Sequence, residues 1–351
     1  MRRYGYDPYH GRSRGRTALK ILIGVLLCLL VLSVAALLFL EPYIHYTSDG
    51  VRLDLPFFQN KDEEPAPPEN STPLQLTTPS PTPTSTPEPE TDFRGVLLPA
   101  AAITDGTAQS QVDAAGGTAA IFSMKDPDGT LGYQSQTTLG TSSEQAGINE
   151  AIQTLNGGEL YTVAWISCFR DNALPWNDRA LGIHSNSGNW RDDESIRWSS
   201  PAVESVRSYV AQVCGELAGL GFDEILLDNC GFPTRGTVSY IKSDSNYDPD
   251  TLTQTMETFF QTLDQTMAQY PEVKVSVVTS LTVLNGGSDG SGLTLDLLKQ
   301  YADKVYVQVG EGETVPTIEG LEIVPIVSQG TDTGSWAVLS RENREKSSKM
   351  P

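Results

Sequence analysis

From residue 93 onward, short apolar runs alternate with longer amphipathic stretches. The apolar runs fall at 95–100, 118–124, 160–167, 224–228, 273–279, 304–309 and 322–327, with a weaker eighth at 335–339. Run 224–228 reads Glu-Ile-Leu-Leu-Asp and is followed closely by Gly231 and Pro233. An apolar run closed by turn residues predicts a strand buried on both faces. The stretches between the runs carry helical signals. Segment 142–155 has Ser142 and Gln145 at capping-box spacing and ends at Asn156-Gly157-Gly158. Segment 201–220 has Ser200 as predicted N-cap and Pro201 at the first helical position. Its Val203, Val206, Val210, Val213 and Leu217 share one face, as do Leu252, Met256, Phe259, Leu263 and Met267 of segment 251–270. These stripes predict core contacts. A shorter helix is predicted at 293–301.

Strand and helix in alternation predict a parallel sheet with helical crossovers. Residues 93–340 have the usual length, about 250 residues, of a (β/α)8 TIM-type barrel. Only residues 329–334 separate the last two runs, too few for a crossover helix, so the barrel is predicted to be irregular at its C-terminal end. A doubly wound open sheet is the rival fold. No glycine-rich phosphate loop follows the first run, so nothing favours a nucleotide-binding version of it.

The chain before residue 93 has a different character. Residues 21–40 are uncharged and nearly all apolar, which predicts a transmembrane helix. A cleaved signal peptide is the rival, but Phe39-Leu40-Glu41-Pro42 offers no small-residue cleavage site. Arg2, Arg3, Arg12, Arg14, Arg16 and Lys20 precede the span against one acid, Asp7, which predicts a cytoplasmic tail at 1–20 and an extracellular remainder. Residues 41–92 form a juxtamembrane segment and then a Pro/Ser/Thr-rich spacer. Residues 341–351 are a charged tail expected to be disordered.

The chain carries a net charge of −20. Beyond the basic tail, 18 bases face 43 acids, a net charge of −25. Such a surface repels nucleic acid and anionic lipid, so no nucleic-acid partner is expected. Of the four cysteines, Cys28 lies in the span and Cys168, Cys214 and Cys230 follow it. Their spacing suggests no metal site. A Cys168–Cys230 bridge and buried free thiols are both open. No cofactor is indicated.

Three segments after predicted strands carry candidate chemistry. Lys125, Asp126 and Asp128 lie in Met-Lys-Asp-Pro-Asp-Gly after the second. Pro-Asp-Gly is a good turn in its own right, and a cation beside a carboxylate also suits sugar hydroxyls. The long segment 168–200 carries Trp176, Trp190 and Trp198, with Arg170 and Asp171 near its start and Trp165 on the strand before. A loop of roughly 30 residues within a compact domain is unusual and often functional. Indole rings beside carboxylates suit the CH faces and hydroxyls of pyranoses, or else they pack into the domain. Asp228 ends the fourth run, at the barrel mouth, where a glycosidase nucleophile or base would stand. The alternative is an Asp that caps the turn.

The order of MKDPDG, LYTVAWISCFRDNALPW and WSSPAVESVRSYVAQVCGELAGLGFDEILLDNCGFP resembles the "putative glycosyl hydrolase domain" family of exported bacterial proteins. The resemblance implies a TIM barrel distantly similar to the α-amylase superfamily. It carries functional positions onto Lys125, Asp126, Asp128, Arg170, Asp171, Trp198 and Asp228. The chain departs from the family pattern at Asn229 and Gly231, where relatives have Tyr and Arg. It also lacks an acid in 276–280, where relatives often have one, and 305–309 differs from the usual sixth strand. Glycoside hydrolysis uses two carboxylates, about 5–5.5 Å apart for retention and 6.5–9.5 Å for inversion. Asp171, Asp126, Asp289 and Glu311 are the candidates to join Asp228.

The expectation is a membrane-anchored extracellular glycoside hydrolase acting on polysaccharide. Asp228 and Asp171 are its candidate catalytic acids, and Lys125, Asp126, Asp128, Arg170, Trp176 and Trp198 its substrate-binding residues. A carbohydrate-binding pseudoenzyme and an envelope scaffold are the rivals. The scaffold predicts that all four tryptophans are buried.

Overall fold

The computed structural model describes residues 92–310 and 312–339, and the backbone of 44–47 and 50–53. Two units divide between Thr84 and Ser85. In the first, Ile44–Thr47 and Gly50–Leu53 pair as antiparallel strands, from Ile44 opposite Leu53 to Thr47 opposite Gly50. The basic tail, the apolar span at 21–40, most of the spacer and the 341–351 tail lie outside the described residues. Among the described residues no helix is long and apolar enough to cross a membrane.

The second unit holds eight parallel strands: β1 (Arg94–Leu97), β2 (Ala119–Lys125), β3 (Tyr161–Ser167), β4 (Glu224–Asp228), β5 (Lys274–Thr279), β6 (Lys304–Gln308), β7 (Glu322–Ile326) and β8 (Trp336–Val338). Each pairs with the next, and Trp336, Ala337 and Val338 pair with Arg94, Gly95 and Val96 to close the barrel. All eight strands stand where the apolar runs predict them, within a few residues at their ends. Parallel strands covered on both faces need apolar side chains on both. Ile121, Val163, Leu226, Tyr306 and Val324 fill the interior, while Ile225 and Leu227 belong to the larger outer layer under the helices.

That outer layer is built by α1 (Ala108–Ala114), α2 (Ile148–Asn156), α4 (Glu204–Gly219), α5 (Leu252–Met267) and α7 (Leu295–Tyr301), while α3 (Ala173–Asn177) and α6 (Leu281–Leu284) are single-turn pieces in the loops after β3 and β5. The predicted stripes are core: Val206, Val210, Val213 and Leu217 of α4 are buried, as are Met256, Phe259, Leu263 and Met267 of α5.

Two predicted helix starts are corrected. Ser142 caps nothing; its hydroxyl accepts from the Ser135 N–H within a loop, and α2 begins only after Gly147. Ser200 turns the chain instead of capping α4. It accepts from the Ala202 N–H and donates to the Asn246 carbonyl at 2.5 Å, and α4 begins after Val203. Serine hydroxyls satisfy nearby backbone in turns as readily as at caps. The irregular end is as expected, with no helix between β7 and β8 and a single paired position, Ile326 opposite Ala337.

A buried polar cluster closes the amino end of the barrel. Glu224, the first residue of β4, accepts from Tyr161 at 2.8 Å, Tyr306 at 2.7 Å and Lys304 at 3.1 Å. The Lys304 ammonium also sits 4.3 Å from the centre of the Phe93 ring. Burial, then the Glu224 carboxylate, pushes both tyrosines well above the usual phenol range. The long loops after β3, β4 and β5 lie at the opposite, carboxyl end of the strands.

Candidate active site

β3 and β4 run side by side with Ser167 opposite Asp228 and Trp165 opposite Leu226. Because side chains alternate along a strand and Leu226 faces the interior, Asp228 also points inward. It stands half-buried at the barrel mouth. Its Oδ1 accepts from the N–H of Asn229 at 2.6 Å. Burial pushes the Asp228 carboxyl above its ordinary value, although the Asn229 N–H, the Trp165 indole, and the Arg170 and Arg235 guanidinium groups act the other way. Trp165 follows Val163 on the inward face and is partly buried beside it.

Past Asp228 the chain turns, as Gly231 and Pro233 predict, through a left-handed residue that the sequence does not single out. Asn229 has φ 48°, in the left-handed region, which Asn tolerates better than most residues. Its side-chain amide donates to Ser167 Oγ at 3.2 Å. At Gly231 a Cβ would lie 2.7 Å from the Ser291 carbonyl oxygen, and the Phe232 N–H donates to that oxygen at 2.8 Å. Both departures from the family pattern therefore fit a local need of this backbone.

The segment that presses on Gly231 holds Asp289. Ser280, directly after β5, donates to Asp289 Oδ2 at 2.6 Å. Asp289 Oδ1 accepts from the Ser291 N–H at 2.9 Å and hydroxyl at 2.6 Å. Asp289 is thus a fixed, half-buried carboxylate on a loop packed against the chain leaving Asp228. Glu311 lies outside the described residues.

Lys125 and Asp171 are brought together away from solvent. Lys125 Nζ lies 2.8 Å from Asp171 Oδ2, with both side chains fully buried, and donates to the Ser167 carbonyl at 2.7 Å. Asp171 Oδ1 accepts from the N–H groups of Ala173 and Leu174, at 2.9 and 3.0 Å. Neither presents a free face to a substrate. Asp126 is exposed and accepts from the Ser123 hydroxyl at 2.5 Å, while Asp128 accepts from the Thr130 N–H inside the Pro-Asp-Gly turn. Gly129 has φ 94°, and a Cβ there would meet Ala173 at 2.5 Å and Asp171 at 2.9 Å, so the turn packs on the β3 loop.

Arg170 is buried between Asp192 at 2.7 Å and Glu194 at 2.7 Å. Burial acts to raise the Asp192 carboxyl, but hydrogen bonds from Arg170, the Ile196 N–H and Trp198 outweigh it and hold it below the ordinary range. Arg235, after β4, grips Asp193 and Glu194 at 2.8 and 2.5 Å. The loops after β3 and β4 are thereby tied together.

The tryptophans divide. Trp190 and Trp198 are buried, with their indoles donating to the Thr237 carbonyl and to Asp192. Trp176 is 70% exposed. The scaffold reading, which needs all of them buried, meets this exposed ring. Cys168, Cys214 and Cys230 are buried free thiols. Among the described residues no group of three His, Cys, Asp or Glu side chains is placed to hold a metal ion.

A hypothetical protein from Ruminiclostridium thermocellum ATCC 27405 is 23% identical, with a TM-score of 0.43, over 52% of this chain and 96% of its own. The glycoside hydrolase domain of PelA from Pseudomonas aeruginosa is 13% identical, with a TM-score of 0.36, over 62% of this chain and 66% of its own. A chitinase from Chromobacterium violaceum ATCC 12472 is 15% identical, with a TM-score of 0.36, over 64% and 57%. No curated protein sequence matches the chain. The family described as "Putative glycosyl hydrolase domain" matches residues 107–305, more than half of the chain and the whole stretch from α1 to the start of β6. This barrel, with Asp228 at its mouth, belongs to that family.

Proposed function

We propose that the chain is a glycoside hydrolase acting on polysaccharide, with Asp228 as nucleophile or base. Asp228 carries the reading: an inward carboxylate at the open end of the barrel, raised by burial. A carboxyl raised by burial holds its proton more readily, which favours the base role over the nucleophile. Asp289 is the proposed second carboxylate, held by Ser280 and Ser291 on the neighbouring loop. Lys125 and Asp171 then act as a buried support for the β3 loop, and Trp165 and Trp176 offer ring faces to the sugar. The apolar stretch at 21–40 and its basic flank support a single-pass anchor, with the barrel outside the cell.

The bonds that occupy both oxygens of Asp289 favour one further reading, a domain that binds carbohydrate without cleaving it. A hydrolysis screen of the full chain beside its Asp228→Asn and Asp289→Asn variants separates the two. The hydrolase reading expects turnover in the wild type and a loss of 10²-fold or more in each variant, on the order of a general acid–base contribution. Saccharide binding with no turnover in any of the three would establish the binding module instead.

A further inference from the structure

The loops after β3 and β4 enclose a cleft of about 780 Å³ whose lining is at odds with the rest of the molecule. The chain has 44 acids against 24 bases, yet the lining holds Arg179, Arg191 and Arg197 and no Asp or Glu. Arg170 and Arg235, on the same loops, are matched to Asp192, Asp193 and Glu194. Among the described residues, none of the three cleft arginines has a carboxylate within ion-pair distance.

Arg197 is the sharpest case. It is 7% exposed, and its guanidinium donates to the neutral Asn172 side chain at 2.8 Å. Burial, and then the neighbouring Arg191 charge, lowers its pKa. A cation shielded from water by a surface ring and left without a counter-ion is unfavourable. Two like charges held side by side add to that. An anion entering the cleft would relieve both.

The remaining lining describes what carries the anion. Trp176 stacks on Arg197 at 4.5 Å and is otherwise exposed, and Tyr240, on the opposite loop, is 71% exposed. Exposed aromatic faces suit the CH face of a pyranose.

We infer that this cleft, formed by Arg179, Arg191 and Arg197 between Trp176 and Tyr240, is a subsite for a saccharide bearing an anionic group. Its ligands are short uronate or sulfated oligosaccharides. The inference rests on the reading of the domain as carbohydrate-active, and it adds the charge of the substrate. The strongly negative surface elsewhere works against long polyanions such as nucleic acid.

The test is a tryptophan-fluorescence and calorimetric titration of the full chain at low and high salt. Oligogalacturonate and a sulfated oligosaccharide are compared with a neutral oligosaccharide of equal length and with a short oligo-thymidylate. Uronate binding is expected to be at least ten-fold tighter than neutral binding, to weaken with salt, and to fall about ten-fold in Arg191→Gln. Arg191 is exposed, so this variant should fold; Arg191→Lys should keep part of the affinity. The sulfated probe distinguishes a general anion site from one shaped for a carboxylate. Equal affinity for neutral and anionic sugars, or no effect of Arg191→Gln, would overturn the inference and leave the hydrolase reading intact. Tighter binding of oligo-thymidylate than of uronate would overturn it in favour of nucleic acid. Absence of binding to every saccharide would overturn both readings.

Discussion

Lys125 and Asp171 face each other at 2.8 Å with both side chains fully buried, joining the end of β2 to the loop after β3. Breaking a buried pair leaves an uncompensated charge and costs about 3–5 kcal/mol. Asp171→Asn or Lys125→Met should therefore lower stability by about that amount in denaturant unfolding. The double variant Lys125→Met/Asp171→Leu should lose less than the sum of the singles, because no lone charge remains.

Asp228 sets a pH dependence whose sign follows from its raised value. Above the ordinary Asp value of 3.8 the unfolded chain releases its proton before the folded one does. In that window the native state binds more protons, so stability falls as pH rises from 3.8 through the folded value. Asp228→Asn should remove this component and be more stable than the wild type at neutral pH. Thermal unfolding of both proteins from pH 4 upward checks it; equal slopes would refute it.

Asn229 gives a cleaner backbone test. Asn229→Ala and Asn229→Gly both lose the bond to Ser167. Only Ala carries a Cβ into the φ 48° conformation. Ala should be the less stable of the two by about 1–2 kcal/mol, measured by denaturant unfolding.

Gly231→Ala places a Cβ 2.7 Å from the Ser291 carbonyl oxygen, which is backbone and cannot swing aside. A loss of about 1–3 kcal/mol is expected from such overpacking. Since Ser291 also holds Asp289, turnover should fall further than stability alone explains. Unchanged kcat in a folded variant would detach Asp289 from the reaction.

The barrel was legible because strands such as β4 carry an uninterrupted apolar centre, Ile225-Leu226-Leu227, and because Val206, Val210, Val213 and Leu217 repeat at helical spacing. The position of Asp228 at the strand's carboxyl end was legible for the same reason, as the acid that closes such a run. Contacts between distant segments were not. Nothing in Lys125 or Asp171 announces that the two neutralise each other across the β2–β3 boundary, and so a sugar ligand and a buried support read alike in sequence. Ser142 and Ser200 misled because a hydroxyl before an amphipathic stretch satisfies a turn as well as a helix cap. The arginine cleft was hidden because nothing along the chain shows that Asp192, Asp193 and Glu194 pair with Arg170 and Arg235 and leave Arg191 and Arg197 without an ion pair among the described residues. Trp176, Trp190 and Trp198 look equivalent along the chain, and only packing leaves Trp176 exposed.

The most direct measurement is reducing-end release from oligosaccharides by the full chain, run beside Asp228→Asn with saccharide binding measured on the same samples. Release by the wild type that is abolished in the variant while binding persists is the predicted result. Equal release by both proteins, or binding without release in both, would contradict a catalytic role for Asp228.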